Sequence, residues 1–134
     1  MSLQEKIPWT FGEGTIYLTN FSSTDTVVFS TDRIPEGFLG VVEDINLIFT
    51  TSGGGIYLRK SLRGGRKIRF TDNITTTATG LSAIVSGGDF IEVLNGSTGV
   101  GVIDITLHGY IQPLPAGNIL ISRKRISSSI ADGL

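Results

Sequence analysis

Residues 37–60 read GFLGVVEDINLIFTTSGGGIYLRK, and the way this stretch is read decides the fold. Ile45, Leu47 and Phe49 alternate with Asn46 and Ile48, which makes one side of an extended segment apolar and the other mixed. That is the period of two expected of a half-buried strand. Thr51-Ser52-Gly53-Gly54-Gly55 supplies residues that take positive φ without steric cost, and Ile56-Tyr57-Leu58 starts a second extended run. The expectation is a β-hairpin. The adjacent acids Glu43 and Asp44 interrupt the apolar face, so a bulge or a bend between sheets is expected there.

Outward from this stretch the same pattern repeats. Ile16 and Leu18 alternate with Thr15, Tyr17 and Thr19; Val27 and Phe29 point one way from 26–30. Further along come strands over 66–70, 81–85, 90–94 and 100–111, in the last of which Ile103, Ile105, Leu107 and Ile111 form one apolar stripe. Gly-rich turns separate them at Gly64-Gly65, Ser86-Gly87-Gly88-Asp89 and Asn95-Gly96-Ser97-Thr98-Gly99. With 18 Gly in 134 residues and no sustained helical period, the chain is predicted to be a single all-β domain. Eight to ten short antiparallel strands suit a β-sandwich of jelly-roll type. The expected division is an N-terminal arm over 1–13, the sandwich over 14–112 and a C-terminal extension over 113–134, with Pro113 and Pro115 marking the last boundary.

The segment Gly88-Asp89-Phe90-Ile91-Glu92-Val93, followed after a turn by Ile105-Thr106-Leu107-His108-Gly109-Tyr110, together with Pro35-Glu36-Gly37 leading into the long strand, resembles the paired strands of small jelly-roll domains. The layout over about residues 35–111 is similar to bacteriophage virion accessory proteins, the head-decoration and fibre-head modules, and more remotely to tumour-necrosis-factor-like and C1q-like trimers. The resemblance implies a non-enzymatic, homo-oligomeric module, trimeric by preference, that docks on a capsid or fibre protein. It implies a virion location after assembly in the host cytoplasm.

Composition limits the alternatives. Eleven Lys and Arg against 12 Asp and Glu give a net charge of −1, so no global field draws the protein to nucleic acid or to an anionic membrane. No apolar run is long enough for a transmembrane span, and the N-terminal stretch has no signal-peptide core. There is no Cys and only one His, which matches no zinc-ligand spacing. His108 is expected on an outward face beside Thr106 and Tyr110, without a local nucleophile or base. Glu43-Asp44 or Asp104 for a calcium ion, and Glu92 with Asp104 as a hydrolytic carboxylate pair, are weighed against solvated surface acids and rank below them. The Gly-rich turns precede neither a Lys-Ser nor a Lys-Thr pair nor a helix, so phosphate cradles are not expected. No cofactor is implied.

Two sets of residues are candidates for contact. Arg59, Lys60, Arg63, Arg66, Lys67 and Arg69 hold six of the 11 cations, with no acid between Asp44 and Asp72. They suit an acidic partner or subunit, a polyanion, or simply a solvated hairpin whose charges prevent edge pairing. The absence of interleaved aromatics argues against nucleic acid. Ile7, Trp9 and Phe11 in the arm are expected to dock either on the chain's own core or on a neighbouring subunit, and with Ile119 and Ile121 near the C-terminus they are the candidate subunit or shell contacts; Arg123-Lys124-Arg125 repeats the basic theme. The alternative function is carbohydrate binding, which would need Tyr17, Tyr57 and Tyr110 on one exposed face.

Overall fold

The computed structural model describes residues 5–19, 21–51 and 53–114. Among them the chain forms eight strands and no helix: β1 (Ile7–Leu18), β2 (Val27–Ser30), β3 (Phe38–Thr51), β4 (Ile56–Ser61), β5 (Lys67–Arg69), β6 (Ala78–Ser86), β7 (Phe90–Asn95) and β8 (Gly101–Pro113). Accordingly, no helix there is long and apolar enough to cross a membrane. The strands lie in two four-stranded antiparallel sheets, ordered β1-β8-β3-β6 and β2-β7-β4-β5. The inward residues of both meet in one core. Leu47 of β3, Ile103, Ile105 and Leu107 of β8, Leu58 of β4 and Val93 of β7 are at most 1% exposed. The architecture is sandwich-like, and it arises because nearly every strand alternates apolar and polar residues.

The central stretch corrects the hairpin expectation. β3 pairs with β6 and β8, whereas β4 pairs with β5 and β7, so residues 53–55 carry the chain from one sheet to the other. The apolar faces of β3 and β4 look at each other across the core instead of lying side by side. Gly53 is needed at this crossing: its φ is +123°, and a Cβ there would stand 2.8 Å from the Val100 carbonyl oxygen. Every connection between successive strands crosses between the sheets except β4–β5. That one is a local hairpin, with Gly64 and Gly65 both at φ +97° in its turn. The bulge expected at Glu43-Asp44 is present as a register shift between Val42 and Asp44 against β8.

The N-terminal boundary differs from expectation. β1 begins at Ile7, inside the segment read as an arm, and pairs antiparallel with β8 from Ile111 to Gly101. A bulge between Thr10 and Gly12 breaks the period of two and turns Phe11 into the core, where it is 4% exposed. A Cβ on Gly40 would lie within 3.1 Å of Phe11, Ile34 and Val85, so the missing side chain of Gly40 makes room for this aromatic. Phe11 is thus a core residue of its own subunit and not a free anchor.

Candidate functional site

The outward face of the β2-β7-β4-β5 sheet is built on two cross-strand rows. Arg59 stands between Glu92 of β7 and Arg69 of β5, and Ser61 between Phe90 and Lys67. Cations directly opposite each other repel, and Glu92 resolves the conflict. Its Oε1 accepts hydrogen bonds from Arg59 Nε at 2.8 Å and Lys67 Nζ at 3.1 Å, while Lys67 also donates to Ser61 Oγ at 2.7 Å. Arg69 turns away and lies over the Tyr57 ring at 4.0 Å, donating to the Thr71 carbonyl and to Asn73 Oδ1. Tyr57 in turn donates to Asp25 Oδ1 at 2.6 Å. At the other end the Phe90 ring has Arg33 at 4.8 Å and Lys67 at 5.6 Å, both within cation–π range.

These contacts perturb three titrations. Burial opposes the Glu92 charge, but the hydrogen bonds and charges of Arg59 and Lys67 outweigh it and hold the carboxyl below its ordinary range. The Tyr57 hydrogen bond, with help from Thr24, lowers Asp25. Burial, followed by the bond to Asp25, raises the Tyr57 phenol.

The six cations of the basic segment are therefore not one free patch. Arg59 and Lys67 share Glu92; Arg63 pairs with Glu36 at 2.7 Å, both well exposed. Lys60 points along the inner side in register with Ile91 and reaches the Ile84 carbonyl at 3.4 Å. Arg69 stacks on Tyr57, and Arg66 has no acidic partner among the described residues. Arg33 and Asp25, which complete the arrangement, were not among the expected site residues, and Glu92 was weighed only as half of a carboxylate pair with Asp104. The only signal for them was a run of cations with no acid nearby in sequence, which requires neutralisation from elsewhere.

The opposite outward face has the other chemistry. The strands β1, β3, β6 and β8 carry Glu13, Glu43, Asp44 and Asp104 and no Lys or Arg. None of these acids has a cation within ion-pair distance among the described residues. Thr15 Oγ1 donates to Asp104 at 2.8 Å. Large apolar side chains lie on this face more than they are covered: Tyr17 is 68%, Ile84 59% and Ile48 50% exposed. Lys6, just ahead of β1, sits over the Tyr110 ring at 4.8 Å.

The remaining expected residues fall as follows. Tyr17 and Tyr110 are on this acidic face, beside opposite ends of β8, whereas Tyr57 is buried on the other sheet; the three share no face. Ile7 and Trp9 are each 37% exposed on the edge strand β1. Ile119, Ile121 and Arg123 to Arg125 lie outside the described residues. His108 is exposed and within 3.5 Å of Thr10 Oγ1. Glu92 and Asp104 belong to different sheets and form no pair. Among the described residues no group of three or more His, Asp or Glu side chains is placed to hold a metal ion. No protein-family model, no curated protein sequence and no solved structure matches this chain.

Proposed function

We propose that this chain is a jelly-roll module that acts by assembly and not by catalysis, as a homo-oligomeric virion accessory protein of the decoration or attachment type. The observation that carries the proposal is the nested order of strand pairing. β1 pairs with β8, β2 with β7, β3 with β6 and β4 with β5. A long two-stranded ribbon with these partners, rolled so that β8 also meets β3 and β7 meets β4, has the sheet orders found here. Eight strands rolled in this way serve viral capsid, lectin and cupin domains. Among those, assembly is favoured by the outward face that leaves Tyr17, Ile48 and Ile84 in water, since exposed apolar groups gathered on one sheet mark contact surfaces. The carbohydrate alternative is disfavoured because Tyr57 is buried away from Tyr17 and Tyr110.

The solution mass of the full chain, by light scattering over a range of concentrations, tests the proposal. Oligomers, with three chains the expected number, support it. A monomer at all concentrations that scores on a glycan array would replace it with the lectin reading.

A further inference from the structure

Sorting the charged residues by sheet separates the two signs almost completely. The β1-β8-β3-β6 strands hold four acids and no Lys or Arg, whereas the β2-β7-β4-β5 strands hold Arg59, Lys60, Lys67 and Arg69 against Glu92 alone. The turn between β4 and β5 adds Arg63 and Arg66. The strand acids thus lie mostly on one outer face and the strand cations mostly on the other, with Lys60 turned to the inner side of its sheet and Lys6 over Tyr110 on the acidic face. Internal pairing offsets part of the basic side, where Glu92 takes Arg59 and Lys67, Glu36 takes Arg63 and Asp25 lies near Arg69. On the acidic side Glu13, Glu43, Asp44 and Asp104 have no cation within ion-pair distance among the described residues, and on the basic side Arg66 has no acid within that distance.

From this we infer that the two outer faces are the two halves of a head-to-tail contact between copies of the chain: the acidic, apolar face of the β1-β8-β3-β6 sheet of one copy docks on the basic face of the β2-β7-β4-β5 sheet of the next. The inference rests on the self-association proposed above and names the surfaces that perform it. Two observations specify a second copy as the occupant. The signs are complementary between two faces of the same molecule, which is the condition for oppositely charged patches to steer and register each other. Arg66, exposed and without an acid in ion-pair distance among the described residues, offers a guanidinium of bidentate geometry to carboxylates such as Glu13 and Asp104. The smaller face sets the size: β4 and β7 have six residues each, so that sheet measures about 20 Å by about 19 Å, on the order of 400 Å² per copy, the scale of a weak contact that mass action must drive. Tyr17 and Ile48 supply apolar area beside the carboxylates: Ile48 is in register with Asp104, and Tyr17 with Val102 one row further.

A contact between unlike faces has a consequence that a two-fold contact lacks. Each copy offers one half of the interface on each side, so association either closes into a ring or continues as an open stack. A fixed mass of three chains marks the ring, and growth with concentration marks the stack.

The same property yields a decisive experiment. The full chain is prepared with Glu13→Lys and Asp104→Lys, which reverses the acidic face, and separately with Arg66→Glu and Arg69→Glu, which reverses the basic one. Each variant alone should associate at least about tenfold more weakly than the wild type by light scattering or analytical ultracentrifugation, because like charges then face each other. Mixed one to one, they should associate again, since each variant retains the intact face that the other has lost. Because Arg69 also covers Tyr57, Arg66→Glu alone provides a second basic-face variant, and circular dichroism confirms that each is folded. Association of the wild type should also weaken as salt rises. A wild type that is monomeric throughout overturns the self-association reading and this inference together. An oligomeric wild type whose mass ignores both charge reversals, or variants that weaken but are not restored by mixing, overturns the head-to-tail faces and leaves self-association standing on another surface.

Discussion

Among single residues, Glu92 carries the most consequence. It is a carboxylate 9% exposed that must satisfy Arg59 at 23% and Lys67 at 38%. Breaking a buried pair from one side costs about 3–5 kcal/mol, and the exposure of Lys67 reduces its share through solvent screening. Glu92→Gln, which keeps the shape and one acceptor oxygen, is expected to lower stability by about 2 kcal/mol in urea unfolding at pH 7. The pH dependence has a definite sign. The folded-state Glu92 titrates below its ordinary 4.5, so its contribution is complete above that value and fades as pH falls toward and through the folded-state value. Asp25 acts in the same direction below 3.8. Tyr57 is opposite: its raised phenol contributes fully below 10.0 and loses that contribution as pH climbs through the raised value. The wild type should therefore lose stability on acidification faster than Glu92→Gln, and the two unfolding curves should draw together as pH falls below 4.5 and through the lowered folded-state value. Parallel curves from pH 7 to pH 3 would remove Glu92 from this role.

At the level of the elements, strands were easy to read and their neighbours were not. A period of two marks Ile103, Ile105 and Leu107 as one face whatever lies beside them, and these residues are buried as expected. Nothing in that period says whether Gly53 to Gly55 folds a strand back alongside its predecessor or carries it to the opposite sheet; the answer depends on partners from β6, β7 and β8. β1 was legible only in its second half, because the bulge at Phe11 destroys the alternation just where the strand needs it. The basic candidate site was legible as composition, while its neutralisation by Glu92, distant in sequence, was not. Asp89 illustrates how connections are fixed. Its Oδ1 accepts the Arg63 backbone amide at 2.7 Å and its Oδ2 the Ser86 amide at 3.3 Å, tying the β6–β7 crossing to the β4–β5 turn while only 7% exposed. Asp89→Ala leaves two amides without their acceptor and is expected to cost about 2 kcal/mol. Arg63→Ala keeps the amide and loses only the exposed pair with Glu36, a change of less than about 1 kcal/mol. Chemical denaturation of the two variants should separate them clearly; equal losses would mean that the Arg63 side chain, not its backbone, secures the turn.

For the molecule as a whole, the nested pairing sets an order of events in folding as well as an architecture. The innermost pair, β4 with β5, closes across only residues 62–66, whereas the outermost, β1 with β8, brings Ile7 to Ile111. Closing a loop costs more entropy as it lengthens, though slowly, and each inner pair formed shortens the loop that remains for the next. Sheet proteins dominated by such distant pairings fold in about milliseconds to seconds, and this chain is expected in that range. The order is open to test with two truncations on opposite ends of the nest. Ile68→Ala lies in β5, and Ile16→Ala in β1, where Ile16 is 3% exposed against Ile103. If the ribbon closes from the inside outward, Ile68→Ala slows folding in proportion to its loss of stability, giving the higher φ-value, whereas Ile16→Ala acts mainly by speeding unfolding. Stopped-flow refolding and unfolding arms measure both. The opposite ranking would mean that the long β1–β8 pair, with the apolar stripe of Ile103, Ile105 and Leu107 beside it, assembles first and that the central hairpin is added to a core already formed.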